Sequence, residues 1–234
     1  MKNIGIFIML LISQLPVADV FAQEIMVSEP EAIDSSVARY GPNRRHYGHF
    51  FVNFGTSIDA GDAGARIVQP RLDQFSFGYR YKLRLFQHLA LGLDAALINF
   101  DYRLQQKEGK ILPDPTLHNK ERMLFTVLNG GAHMRINVGR RGNQLGNYLD
   151  IGGYGGLTLS HTHFTKDKLP DGSIVRIRRN RLDYYQLFNY GVTARIGYKK
   201  LIVFGRYRLS DMFYADKNLP ELPRITAGIE FVMQ

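Results

Sequence analysis

Between residues 75 and 85 every odd position is apolar or aromatic and every even one is small, polar or cationic, a period of two that excludes a helix. A helix would scatter these residues around its circumference. A strand places Phe75, Phe77, Tyr79, Tyr81 and Leu83 on one face and Arg80, Lys82 and Arg84 on the other. The same alternation recurs over 50–54, 89–97, 124–138, 149–159, 184–198, 201–209 and 225–233, which makes eight predicted strands. In the third, the apolar parity changes between Leu97 and Ile98. A β-bulge there would keep Ile98, Phe100 and Tyr102 on the apolar face.

The connections alternate as well. Those over 86–88, 139–146 and 199–200 are short, whereas 58–71, 104–120, 164–183 and 211–222 are long and rich in Pro, Gly and charge. Short turns at one end and long loops at the other describe an antiparallel up-and-down transmembrane β-barrel, all-β and eight-stranded, with both termini periplasmic. The chain opens with Met1-Lys2-Asn3, an apolar run, and Val20-Phe21-Ala22, which reads as a secretory signal peptide over 1–22. A periplasmic lead-in over 23–46 and an outer-membrane barrel over 47–234 follow. The absence of cysteine removes disulfides and thiolate metal sites from consideration. A formal charge of +9 on an exported chain points to lipid headgroups and lipopolysaccharide phosphates, and away from nucleic acid.

Alternation alone does not say which face is inside. Gly78, Gly131, Gly152, Gly156, Gly191, Gly197 and Gly228 all lie on the polar face, where they would weaken a water-exposed strand but make space inside a narrow barrel. That face also carries Arg80, Asp94, His133, Arg135, Asp150, Arg195, Arg206, Arg208, Arg224 and Glu230. Enclosed charges need partners. The expected interior is therefore an ionic plug, with Glu230 beside Arg206 and with Asp94 between Arg80 and either Arg135 or His133. Eight strands leave just enough room for side chains to fill the ring, so no open pore is expected. The apolar face then meets lipid, with Tyr79, Tyr81, Tyr184, Tyr198 and Tyr207 as lipid-facing or interfacial anchors.

Four stretches carry a resemblance: Tyr148-Leu149-Asp150-Ile151-Gly152-Gly153-Tyr154-Gly155-Gly156, Tyr190-Gly191-Val192-Thr193-Ala194-Arg195-Ile196-Gly197-Tyr198, Tyr207-Arg208-Leu209-Ser210-Asp211-Met212-Phe213 and Leu222-Pro223-Arg224-Ile225-Thr226-Ala227-Gly228-Ile229. They resemble the PorT-like outer-membrane β-barrel family of the Bacteroidota. The resemblance implies a barrel in the outer membrane, and its namesake's association with type IX secretion makes an accessory role there an alternative.

Only Ser160-His161-Thr162-His163 invites a catalytic reading as a lipopolysaccharide-modifying hydrolase. Ser160 and His161 point to opposite faces of a regular strand, which separates a nucleophile from its base. His161 and His163 share a face, but two imidazoles fall short of the three or four ligands of a zinc site. The expectation is a non-enzymatic barrel with no catalytic residues, cofactor or metal, serving envelope structure, adhesion or assembly with an envelope protein partner. Lys166, Lys168, Arg176, Arg178, Arg179 and Arg181, diluted by Asp167 and Asp171, form a cationic outer loop suited to lipopolysaccharide phosphate.

Overall fold

Segments of period two become strands because only an extended chain can sort their two residue classes onto opposite faces. A computed structural model describes residues 41–58, 64–138, 146–198 and 201–233. The predicted signal peptide, most of the lead-in, and the turns at 139–145 and 199–200 lie outside the described residues. Nine strands are assigned: β1 His46–Ile58, β2 Gln74–Arg84, β3 Leu89–Arg103, β4 Lys120–Val138, β5 Asn147–Lys168, β6 Ile174–Asn180, β7 Phe188–Tyr198, β8 Leu201–Arg208 and β9 Ile225–Met233. One short 3-10 turn, Ala215–Lys217, interrupts the connection before β9.

All pairings are antiparallel. Each of the strands pairs with the next around the order β1-β2-β3-β4-β5-β7-β8-β9, and β1 returns to β9 from Phe50↔Met233 to Ile58↔Ile225. The sheet thereby closes in a ring of eight strands. β6 stands outside that ring and, among the described residues, pairs only with the far end of β5. The predicted long loop over 164–183 is thus largely a β-hairpin, because Thr165-Lys166-Asp167-Lys168 and Val175-Arg176-Ile177-Arg178 suit extended chain better than their charge suggested.

Two other expectations need correcting. β3 pairs with β2 and β4 without a register shift, so it has no bulge at Leu97 and Ile98. Its parity change instead turns Ile98 and Tyr102 inward, each 2 % exposed. The irregularity lies in β5, where Thr126 faces Ser160 but Val127 faces Thr158, so Leu159 has no partner on β4. The strand expected from residue 184 starts at Phe188, and Tyr184 packs beside Phe213 in the preceding connection instead of facing outward.

Burial follows the alternation. Polar and charged positions of the ring point inward, whereas Leu93, Leu159, Ile196 and Tyr198 are each 60 % exposed or more on the outside. The interior has two parts. The end with the short turns is ionic. Toward the long connections it becomes an apolar stopper in which Ile98, Tyr102 and Phe125 of the strands meet Ile67, Leu112 and Phe213 of the connections. Folding those connections inward removes their apolar side chains from water and closes the ring at that end.

Glycine makes room for the large inward residues. A β-carbon on Gly197 would run into the Tyr148 ring, whereas one on Gly205 would meet nothing within 4 Å. Gly197→Val is expected to lower unfolding stability by about 1–3 kcal/mol through overpacking. Gly205→Val should stay within about 0.5 kcal/mol of the parent. Urea midpoints of the refolded variants measure both.

Candidate functional site

Arg80 is fully buried on the inner face of β2, directly across from Asp94 on β3. Its Nε donates to Asp94 Oδ1 at 2.5 Å, and its Nη1 and Nη2 donate to the two oxygens of Glu230 on β9, the second at 3.0 Å. One guanidinium thus ties together two strands that are not neighbours in the ring. The Phe51 ring lies 4.4 Å from the guanidinium carbon and covers it.

The other oxygen of Asp94 accepts from Arg195 Nη2 at 2.7 Å, across the interior from β7. Arg135 holds Asp150 with two bonds of 2.7 Å and stacks 3.6 Å over Tyr148. His133 sits between the two groups, with Nδ1 3.1 Å from Asp94 and Nε2 3.6 Å from Asp150. Gly92 and Gly152 flank it, and a β-carbon on either would collide with His133. Three arginines (Arg80, Arg135, Arg195) face three carboxylates (Asp94, Asp150, Glu230), so each carboxylate of the group has a cation. Such pairing is what desolvated carboxylates require, since an unpaired one there would be costly. The cavities left between the side chains, one beside Asn53 and Arg195 and one beside Tyr102 and Arg206, are about 20 Å³ each, room for about one water apiece.

The expected ionic set is therefore assembled in part. Arg80, Asp94, His133, Arg135, Asp150, Arg195 and Glu230 come together. Arg206 does not reach Glu230: its rung partner on β9 is Thr226, four residues away, roughly 13 Å along the strand. It stacks 4.0 Å over Tyr154 and donates to Asn129 Oδ1 at 3.0 Å. Arg135 pairs with Asp150 and not with Asp94. Arg208 fastens the connection before β9 by donating to Glu221 Oε2 at 2.9 Å and to the carbonyls of Ser210 and Leu222. Arg224 is part-exposed just before β9, where it pairs with Asp211 and donates to the carbonyls of Leu209 and Ser210.

A second buried ionic group, centred on Glu121, escaped the sequence reading. His163 Nε2 lies 2.7 Å from Glu121 Oε1, while Lys110 and Gln106 donate to Oε2. Lys110 also donates to the Thr116 carbonyl, so the group pins the β3–β4 connection against β5. Glu121 shares the inward parity of Met123 and Phe125, which was the available signal. His161 accepts the Leu182 N–H at 2.7 Å and stacks on Tyr185 at 5.3 Å. Ser160 is exposed, and no hydrogen bond joins it to His161. No cluster of three metal-ligating side chains occurs among the described residues.

The predicted cationic segment divides between two faces of the hairpin. Lys166, Arg176 and Arg178 share the outward face, and Lys168 stands across from Ile174 on that same face. Arg179 lies across from His163 on the opposite one, and Arg181 follows β6 with a positive φ of 59°. Neither acid dilutes the outward cations. Asp167 is held on the other face by His118 Nδ1 at 2.7 Å and by the Asn119 N–H. Asp171 accepts the hydroxyl and N–H of Ser173 within its own turn, and these bonds hold its carboxyl below the usual carboxylate range. No family model matches the chain, and no curated protein is similar to it.

Replacing Arg80 with Met leaves Glu230 and one oxygen of Asp94 buried without their cation. That substitution is expected to cost about 3–5 kcal/mol of stability. Arg224→Met, which breaks a half-exposed pair with Asp211, should cost no more than about 1 kcal/mol. Denaturant titration of the two variants beside the parent tests the difference.

Proposed function

We propose that this chain is a non-enzymatic integral β-barrel of the bacterial outer membrane, exported by a cleaved signal peptide, whose filled interior makes it a scaffold for contacts at its two ends. One observation carries the reading: the closed ring wears its apolar side chains outside and its charges inside. Leu91, Leu93, Leu97, Leu128, Met134, Ile136, Ile151, Ile196 and Val203 are all exposed large hydrophobics of the ring. In water such a belt would be a severe liability. In hydrocarbon it is the expected surface of a strand-built span, because ring closure satisfies the backbone hydrogen bonds internally.

The interior supports a scaffold over a channel, since the carboxylates Asp94, Asp150 and Glu230 each hold an arginine and its far end carries an apolar stopper. The separation of exposed Ser160 from the inward His161 argues against hydrolysis. A narrower reading, an accessory component of type IX secretion, rests on the PorT-like resemblance of 148–156, 190–198, 207–213 and 222–229. Deletion of the gene followed by proteomics of the culture medium separates the two: an intact secretome removes the secretion role and leaves the scaffold.

The parent protein, folded in detergent, is expected to migrate faster unboiled than boiled on a denaturing gel and to remain with membranes through alkaline extraction. Identical migration together with release as a soluble species would sink the reading. Leu93→Arg puts a charge in the middle of the apolar belt. It should weaken folding into bilayers by about 2–4 kcal/mol. A ring that folds in water would show no such loss.

A further inference from the structure

Beyond the apolar belt, β4 and β5 continue past the ring and, with β6, form a small sheet. On its outward face Lys120 of β4 stands directly across from Lys166 of β5, which stands directly across from Arg176 of β6. Three cations therefore lie abreast on one rung, within roughly 10 Å. The next rung toward the belt repeats the pattern with Arg103, Arg122, Phe164 and Arg178 across β3 to β6. Like charges directly opposite each other destabilise a sheet. Among the described residues no ion pair neutralises Lys120, Lys166, Arg176 or Arg178. Among the described residues, Asp101 is the acid that pairs with cations on this face, and both Arg71, at 2.7 Å, and Arg122 donate to it, which leaves a cation in excess there too.

The charge is sorted as well as concentrated. The other face of the hairpin carries His163, Thr165 and Asp167 against Val175, Ile177 and Arg179, and so has a single arginine. A solvated loop would have no reason to segregate its cations in this way. The cationic face is also continuous with the belt: two residues along β4 from Arg122 is outward Leu124, and Leu128 follows it. Phe164 sits within the second rung, an aromatic ring at the level where headgroups meet hydrocarbon.

We propose that this outward face binds the phosphates of an anionic lipid headgroup in the surrounding leaflet, with Lys120, Lys166 and Arg176 forming one rung of the site and Arg122 and Arg178 the other. The inference rests on the membrane reading above, and it adds Lys120 and Arg122 to the residues that sequence alone suggested while leaving Lys168, Arg179 and Arg181 out. A phosphate between two opposed cations converts their repulsion into paired charge-assisted bonds, and arginine can offer it two parallel donors.

The test uses the full mature protein in an uncharged detergent, titrated with bis-phosphorylated lipid A and with the same lipid stripped of phosphate. The parent should prefer the phosphorylated lipid by about tenfold or more, and added salt should erode that preference. The triple variant K120Q/K166Q/R176Q should lose about tenfold in affinity, while R179Q stays within about twofold. A parent that binds both lipids equally, or a triple variant that binds as the parent does, overturns the proposal. Inorganic pyrophosphate alone provides the further arm: if it competes as tightly as the lipid binds, the site takes free anions and the lipid assignment falls. Insertion into neutral phosphatidylcholine vesicles is scored separately, so a failed membrane reading shows as no insertion, and a failed headgroup site shows as insertion without phosphate preference. Should the triple variant not fold, the parent's preference between the two lipids still decides.

Discussion

Closure of β1 onto β9 is the constraint on which the remaining features depend. It satisfies both edges of an eight-stranded sheet at once, and an unclosed sheet of this kind would expose a row of backbone donors and acceptors. Closure also creates an inside and an outside from strands that carry two incompatible faces. Eight strands enclose a space that side chains can fill, so whichever face turns inward must pack against itself. Here that face is the charged one, and its carboxylates Asp94, Asp150 and Glu230 must therefore find cations within a few ångströms.

Arg80 shows how that requirement is met. Its bond to Asp94 crosses adjacent strands, but its bonds to Glu230 reach past β1 to β9, and Asp94 is shared with Arg195 from the far wall. Pairing across the interior links strands that the backbone ladder does not join. It also favours this register, since a slip of one residue would turn Arg80 outward and leave Glu230 and one oxygen of Asp94 without their cation. The aromatic covers, Phe51 over Arg80, Tyr148 over Arg135 and Tyr154 over Arg206, fill the space around the flat guanidinium groups.

The two ends of the ring differ in kind. At the end with the long connections, Glu121 with Lys110 and His163 pins one connection in place, and Glu221 with Arg208 pins another. Between them the apolar stopper fills the interior. A wall that is apolar outside and a core that is filled leave the ends and the hairpin of β5 and β6 as the surfaces available for recognition. The proposed function and the proposed headgroup site both follow from that distribution.

The eight strands of the ring, most of their faces and the alternation of short and long connections were legible in the sequence because side-chain alternation and turn chemistry are local properties, whereas β6 was read as loop. The inward placement of Arg80, Asp94, Arg135, Asp150 and Glu230 followed from parity in the same way. Which of them pair was not legible: adjacent-strand register assigned Glu230 to Arg206, whereas the ring set Arg206 against Thr226 and brought Arg80 to Glu230 instead. Ile98 and Tyr102 were misassigned because their change of parity looks identical whether a strand bulges or the interior itself turns from polar to apolar. The rung of Lys120, Lys166 and Arg176 joins residues from three strands, and nothing within one strand announces it. Local periodicity determined what each strand is. Only the closed tertiary structure, which sets register and places opposite walls within bonding distance, decided which residues meet.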